Sequence, residues 1–420
     1  MTTVFKRIVE WLMLLCLVAV IVAAAGLFVL KTQFGHGEPY MVAGTKPLVA
    51  EDQLVTLVEL PFPPGNIAVS HGGRVFFDYH PFARAERFSE ATVFELVAGT
   101  PIPFPSGEQQ AELKGVLGMT VDRQDRLWLV RPASPDSRET KLFAIDLERG
   151  EIVLRHTLTR DVTSFIQDLR VSPDGSTVYL ADTGVMRLSP AALVVFDVAT
   201  KTSRRVLEGH PSVKAQDWQI VTAQGPLTLA YGLLTFAAGV DGIALDADGT
   251  HLYYGAMNHG TLYRIATAAL ADSSLGQDAL GRQVEAVGAK PLSDGLAIDE
   301  EGTVYITDIV NGAIVRGARS RTGETLVSSP SVVWADGIAL TDDRHLLFTD
   351  SALPTYLDPL MQPPSRATLD QHAPYRIYRV ALPELASPPA SALDGRASAD
   401  GGVLVDGGVP ADGGTPAGGE

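Results

Sequence analysis

Short apolar bursts separated by polar turns run along most of this chain, and the bursts come in pairs. The clearest pair is Leu296-Ala297-Ile298 and Val304-Tyr305-Ile306, framed by Asp294-Gly295 and Asp308 and joined through Glu300-Glu301-Gly302. Bursts of this length, rich in β-branched and aromatic residues, predict strands, and the Gly-containing polar tips predict hairpin turns. Six such pairs begin at Asn66, Gly118, Asp168, Asp241, Asp294 and Asp336, about 42 to 73 residues apart, the length a four-stranded blade needs. Their second strands include Val75-Phe76-Phe77, Leu127-Trp128-Leu129-Val130, Val178-Tyr179-Leu180, Leu252-Tyr253-Tyr254 and Leu346-Leu347-Phe348, with further strands at Ala192–Asp197 and Thr261–Ile265. A two-strand unit cannot bury both of its faces alone, so the copies must pack on one another. The pattern predicts an all-β, six-bladed β-propeller over 51–385, with Leu54–Leu60 completing the blade that ends near Tyr375–Leu382 and so closing the ring.

Both ends depart from this pattern. Lys6 and Arg7 precede an unbroken apolar run from Trp11 to Leu30, closed by Lys31. About 20 apolar residues span a bilayer as a helix, and the basic flank keeps its N-terminal side cytoplasmic. Residues 1–32 therefore read as a signal anchor, or as a signal peptide cut near Ala23-Ala24-Ala25-Gly26. Either reading exports the body: to the outer side of the membrane if anchored, into the medium or periplasm if cut. Residues 33–50 read as a linker, and 386–420, with repeated Asp-Gly-Gly and almost no large apolar residue, as a disordered tail.

Composition narrows the partners. The 420 residues carry a net charge of −16 and no basic cluster beyond dipeptides such as Arg204-Arg205, which speaks against nucleic acid. The one cysteine, Cys16, sits in the apolar run, which removes disulfides and a thiol nucleophile from the body. No Gly-x-Ser-x-Gly elbow, His-Glu-x-x-His pair or phosphate-binding Gly-rich loop is present.

Candidate chemistry comes from register. In an antiparallel pair the start of strand one and the end of strand two share an edge. Asp168 with Asp182, Asp294 with Asp308, Asp336 with Asp350, and Asp241 thus gather at one mouth, with Tyr79 and Arg131 at the equivalent ends of the first two blades. Asp294 and Asp241 are the candidate proton-transfer groups. Asp168, Asp336, Gln167, Asp308, Asp350, Asn258, Tyr79 and Arg131 are candidate ligand contacts. Asp before Gly, or at a strand end, also serves as a plain turn former, the competing reading for Asp182, Asp308 and Asp350. Converging carboxylates need a cation, an amine-bearing ligand or a bound proton. His210 and His259 are further candidates, and Leu353–Pro374 is a long loop placed to wall the site.

At Pro64–Val69, Gln167–Val171, Ala192–Asp197, Val240–Leu245 and Ser293–Asp299 the chain resembles the yellow/major royal jelly protein family, in particular its bacterial branch labelled dopachrome-tautomerase-related. The resemblance spans about residues 51–382. It implies a six-bladed propeller, often extracellular, and an activity ranging from dopachrome conversion through binding of amine or catechol-like ligands to no reaction. More distantly the chain is similar to regucalcin-like gluconolactonases, which hold a divalent metal such as Ca²⁺ through one Glu, two Asn and one Asp. Asp294 matches that Asp, Gln167 and Asp241 stand at the two Asn positions, and Pro64-Gly65 lies where the Glu would be. The expected function is an exported propeller that binds a small polar or cationic ligand in an acidic mouth, with dopachrome-type isomerisation. The alternatives are a metal-dependent lactonase using Asp241, Asp294 and Gln167, and a non-catalytic scaffold.

Overall fold

A computed structural model describes residues 2–42, 44–134, 138–317 and 323–383, so the expected tail at 386–420 lies outside the described residues. Six four-stranded antiparallel sheets follow one another along the chain. Blade one is Pro64–Val69, Val75–Tyr79, Val93–Val97 and Thr100–Pro103; blade two is Gly118–Val121, Arg126–Arg131, Thr140–Asp146 and Glu151–Leu158. Blade three is Ile166–Val171, Thr177–Asp182, Ala192–Asp197 and Thr202–Val206; blade four is Val240–Leu245, His251–Ala256, Thr261–Ala266 and Glu285–Ala289. Blade five is Leu296–Ile298, Val304–Asp308, Ala313–Gly317 and Glu324–Ser328. Blade six takes Ala335–Leu340, His345–Asp350 and Tyr375–Ala381 from the end of the ring and its outer strand, Val55–Leu60, from the beginning. The expected closure is therefore present, and both sequence segments flagged as further strands are third strands of their blades.

The alternation of the sequence becomes packing between blades. Phe76, Met119, Leu127, Leu129 and Phe143 interlock between blades one and two, and Trp128, Leu142, Leu169, Leu180 and Phe196 between two and three. Each such large side chain, nearly or wholly removed from water, contributes roughly 1.5–3 kcal/mol.

The innermost strands approach so closely that glycine is required. A Cβ on Gly242 would lie 2.5 Å from the Asp294 carbonyl oxygen, and one on Gly295 would lie 2.4 Å from that of Asp336. The repeated Asp-Gly is thus a close-approach device more than a turn: glycine admits the next blade's backbone. Four inner strands also break register at this point, between Pro64 and Ile67, Ile166 and Asp168, Val240 and Ile243, and Ala335 and Ile338. Bulges of this kind re-aim side chains, here those of Gln167, Asp241 and Asp336, onto the ring axis.

The longer interval between blades three and four holds a small insertion with two hairpins, Val221–Thr222 with Gly225–Pro226 and Thr228–Leu229 with Leu234–Thr235. The 33–50 segment lies against the ring: Glu38–Pro39 pairs in parallel with Trp218–Gln219, the buried Tyr40 donates its hydroxyl to the Lys290 carbonyl at 2.9 Å, and Val49 is buried against blade five. Ahead of it stands one helix, Thr2–Phe34, whose residues from Phe5 are long and apolar enough to cross a membrane.

Candidate functional site

The starts of the inner strands bring Gln167, Asp168, Asp241, Asp294 and Asp336 together around one narrow cavity on the axis, with Asn66 and Arg170. Its volume, about 10 Å³, holds at most a water or a bare ion. The four carboxyl groups are all buried. Asp168 has its charge met: it accepts from Leu169 N and Ile243 N and pairs with Arg170 at 2.8 Å. Asp294 Oδ2 accepts from Trp334 Nε1 at 2.7 Å. Among the described residues Asp241 Oδ2 and Asp336 Oδ2 have no hydrogen-bond partner.

Burial first, and like charge second, decides their protonation. Burial, then the neighbouring Asp294, Asp168 and Asp336, holds Asp241 well above the usual carboxylate range, with Lys290 opposing. Asp336 is likewise raised by burial and by Asp294. Burial pushes Asp294 up to about 7 despite the Trp334 hydrogen bond. At neutral pH the cluster therefore holds protons. Lys290 is the group the sequence did not flag. Buried beside the cluster, with Nζ on Pro291 O and Ser293 Oγ, it is pushed by burial down to about 7, with Asp241 and Asp308 pulling it back up.

An organic ligand has its room elsewhere. A pocket of about 600 Å³ opens on the face where the inner strands start, walled by Phe82, Phe165, Val185, Leu357, Met361 and Pro363, with Tyr356 among its lining residues. The long loop after Asp350 supplies the last of these, as expected of it. The charged lining is mixed: Arg84, Lys114 and Arg131 against Glu86 and Asp358, with Arg84 held to Glu86 at 2.7 Å. The mouth is therefore not acidic. Register placed the carboxylates at the correct end of the strands, but the ring axis buries them beneath the opening.

Tyr356 and His80 lie between the two layers. The Tyr356 hydroxyl is buried without a hydrogen-bond partner among the described residues, and burial and the adjacent Asp336 raise its pKa well above the ordinary value. His80 accepts from Phe82 N at Nδ1, 3.1 Å, so its proton sits on Nε2, which stands 3.9 Å from Asp336 Oδ2. Burial pushes this imidazole down to about 3, so it is neutral. The sequence singled out neither side chain, only the Leu353–Pro374 loop that carries Tyr356, because both come from irregular segments after the second strands of blades one and six.

The remaining candidates separate cleanly. Arg131 lines the outer pocket, and the counter-charge to the cluster is Arg170, on the inner strand itself. Tyr79 is buried in an aromatic cluster with Phe62, Phe77 and Phe94, where burial pushes it up to about 12. Asn258 spends its side chain on Ala238 N, Trp218 O and Phe236 O, securing the insertion. Asp308 ties Val310 N and Asn311, Asp350 ties Val333 N, Trp334 N and Ala352 N, and Asp182 ties Ser164, Phe165 N and Arg205. These three are strand-end formers. His210 bonds Ser212 and His259 accepts from Thr261 N, both away from the lining residues of the two cavities.

For a metal, Asp241, Asp294 and Gln167 do share a cavity, but among the described residues no three His, Cys, Asp or Glu side chains gather as ligands. Ca²⁺ takes six to eight oxygens, whereas Asp168 is paired to Arg170 and Asp294 to Trp334. This donor set does not fit Ca²⁺.

The family described as major royal jelly protein matches residues 114–331, more than half of the chain. No curated protein matches it in sequence. Among solved structures it is similar to a gluconolactonase from Xanthomonas campestris (13% identity, 79% of this chain and 89% of that one, TM-score 0.49). It is also similar to the calcium-binding protein regucalcin from Agrobacterium tumefaciens (15%, 81% and 95%, TM-score 0.45) and to virginiamycin B lyase from Staphylococcus aureus (15%, 71% and 81%, TM-score 0.41). Likenesses this distant carry no chemistry across.

Proposed function

The chain belongs to the major royal jelly protein family, and we propose that it binds a small, flat, carboxylate-bearing molecule in the pocket above Tyr356 and moves a proton on it. The observation that carries this reading is Tyr356: its ring belongs to the lining of a 600 Å³ pocket, while its hydroxyl, buried behind that lining and unpartnered among the described residues, backs onto a carboxyl cluster that holds protons at neutral pH. A buried hydroxyl left unpaired costs about 1–3 kcal/mol, a cost that a ligand accepting its hydrogen bond removes.

The residues divide the work. Phe82, Phe165 and Leu357 supply flat apolar walls, and Lys114, Arg131 and Arg84 the positive charge that would orient a carboxylate. Tyr356 donates to the ligand's conjugated oxygen. Asp336, neutral behind it, restores that proton through one bridging water, since the two groups make no direct hydrogen bond, and the nearby Nε2–H of His80 steadies the carboxylate that forms. The pocket carboxylates Glu86 and Asp358 are the acceptors for the proton leaving carbon. One proton leaves carbon and one arrives on oxygen, so each step is an isomerisation that needs no oxidant; dopachrome takes two such shifts to reach its dihydroxyindole, and exchange with solvent resets Asp336 and the carboxylate that took the carbon's proton. Asp241 and Asp294 hold the cluster's charge balance without touching the ligand, because their cavity, about 10 Å³, is too small for an organic molecule.

Thermal melts with indole-2-carboxylate and with tryptamine separate this reading from an amine-binding one. Stabilisation by the carboxylate alone supports it; stabilisation by the amine alone overturns it. Dopachrome decolourisation, followed by absorbance, tests the proton transfer, and a rate no faster with protein than without it removes the enzymatic part.

A further inference from the structure

The N-terminal helix meets the ring without a spacer. It is exposed from Phe5 to Gln33, and its last turn touches the insertion between blades three and four. Lys31, the first residue after the apolar run, donates from Nζ to the carbonyl of Gly232 at 2.5 Å. Two residues past the helix end, His36 Nε2 bonds Asp217 at 3.1 Å, and Asp217 also pairs with Arg187 at 2.8 Å. Glu38–Pro39 then join Trp218–Gln219. A 20-residue apolar span ends where the hydrocarbon ends, so whatever adjoins Lys31 lies at the level of the lipid headgroups.

Around that point the ring exposes large apolar side chains. Tyr231, next to Gly232, is 81% exposed, and Leu188, next to Arg187, is 79% exposed. Ala230 N bonds Pro359 O, which brings the exposed Leu360 and Met361 to the same place. Tyr231 and Met361 hold positive φ values of 55° and 56°, a conformation that costs a non-glycine residue energy. Met361 also lines the 600 Å³ pocket, so the patch borders its opening. A cut after Ala25 would leave Leu27, Phe28, Val29 and Leu30 bare beside this patch.

We propose that the helix is retained as a membrane anchor and that it seats the pocket-bearing face on the bilayer, with Leu188, Tyr231, Leu360 and Met361 in the lipid interface. Interfaces favour aromatic and apolar side chains of this kind, and a lysine at the helix end reaches its head to the same level. The pocket then opens beside the membrane surface. This placement rests on the helix junction and the patch, and holds whatever the pocket binds.

The test is spin labelling of the full chain in nanodiscs. Cys16→Ser removes the single thiol, and Leu188→Cys, Tyr231→Cys and Leu360→Cys are labelled one at a time, with Asp174→Cys on a turn of the opposite face as reference. All four positions are exposed, so each label is tolerated independently of the others. The expected result is collision with dissolved oxygen exceeding collision with a water-soluble nickel chelate by several-fold at the first three sites, and the reverse at Asp174. Water-like accessibility at all of them overturns the proposal. Dipolar broadening between copies, which would mean a second chain covers the patch, also overturns it, as does a mass showing the membrane-extracted protein cut within residues 23–34.

Discussion

Trp334 Nε1 donates to Asp294 Oδ2 at 2.7 Å, joining the entrance of blade six to the inner strand of blade five. The indole is fully buried, and Gln167 is a second side-chain hydrogen-bond partner of the same carboxylate. Trp334→Phe keeps the ring and removes the donor. The expected cost is about 1.5–3 kcal/mol in urea denaturation at pH 8, where Asp294 is charged, falling markedly by pH 5, where it is protonated. An equal loss at both pH values would mean the tryptophan acts only by filling space.

The buried cluster sets a pH profile. Asp294 is raised in the folded state to about 7, so its contribution is fully present below the unfolded value near 4 and is lost as pH rises through 7. Lys290 is depressed to about 7, so its contribution is present above its unfolded value near 10.4 and is lost as pH falls towards 7. Asp294 therefore adds a fall in stability up to about pH 7 and Lys290 a rise above it, superposed on the further fall from the raised Asp241 and Asp336 and on the acid-side loss from the depressed His80, each tenfold change in proton affinity being worth about 1.4 kcal/mol. Asp294→Asn is expected to flatten the acid arm and Lys290→Met the alkaline arm; chemical denaturation from pH 4.5 to 9.5 reads both.

Tyr356→Phe sets function against stability. Removing an unpartnered buried hydroxyl should leave the fold unchanged or firmer by about 1 kcal/mol. Dopachrome conversion should fall at least about 10²-fold, the lower end of what losing an acid–base group costs. A variant that keeps full activity would take Tyr356 out of the reaction.

Gly295→Ala places a methyl 2.4 Å from the Asp336 carbonyl, which is backbone and cannot yield cheaply. A loss of about 2–4 kcal/mol is expected, in the range of severe overpacking. Gly288→Ala, with nothing within 4 Å of the added carbon, is expected to stay within about 0.5 kcal/mol. Thermal melts of the pair show whether close approach of blades is what the Asp-Gly repeat serves.

Calcium is expected to do little. With two of the four central carboxylates engaged by Arg170 and Trp334, adding Ca²⁺ to chelator-treated protein should not raise the melting temperature. A ligand at about 100 times its dissociation constant would add roughly 2.7 kcal/mol, so a bound ion would be plain to see and would reopen the lactonase reading.

Local order along the chain was enough for the architecture. Paired bursts such as Leu296–Ile298 and Val304–Ile306, and the unpaired burst at Leu54–Leu60, state how many blades there are and how the ring closes, because strand period and turn chemistry are properties of neighbours in sequence. The same order placed Asp168, Asp241, Asp294 and Asp336 at one edge. Closing the ring decided the rest. It put those carboxylates on an axis too narrow for a ligand and gave Asp168 its partner in Arg170, two residues along. It also brought Lys290, His80 and Tyr356 from connecting segments to the cluster. Depth is the property a single sequence does not carry: whether a strand-end Asp faces water or a narrow axis depends on five other blades, and its charge follows from that burial.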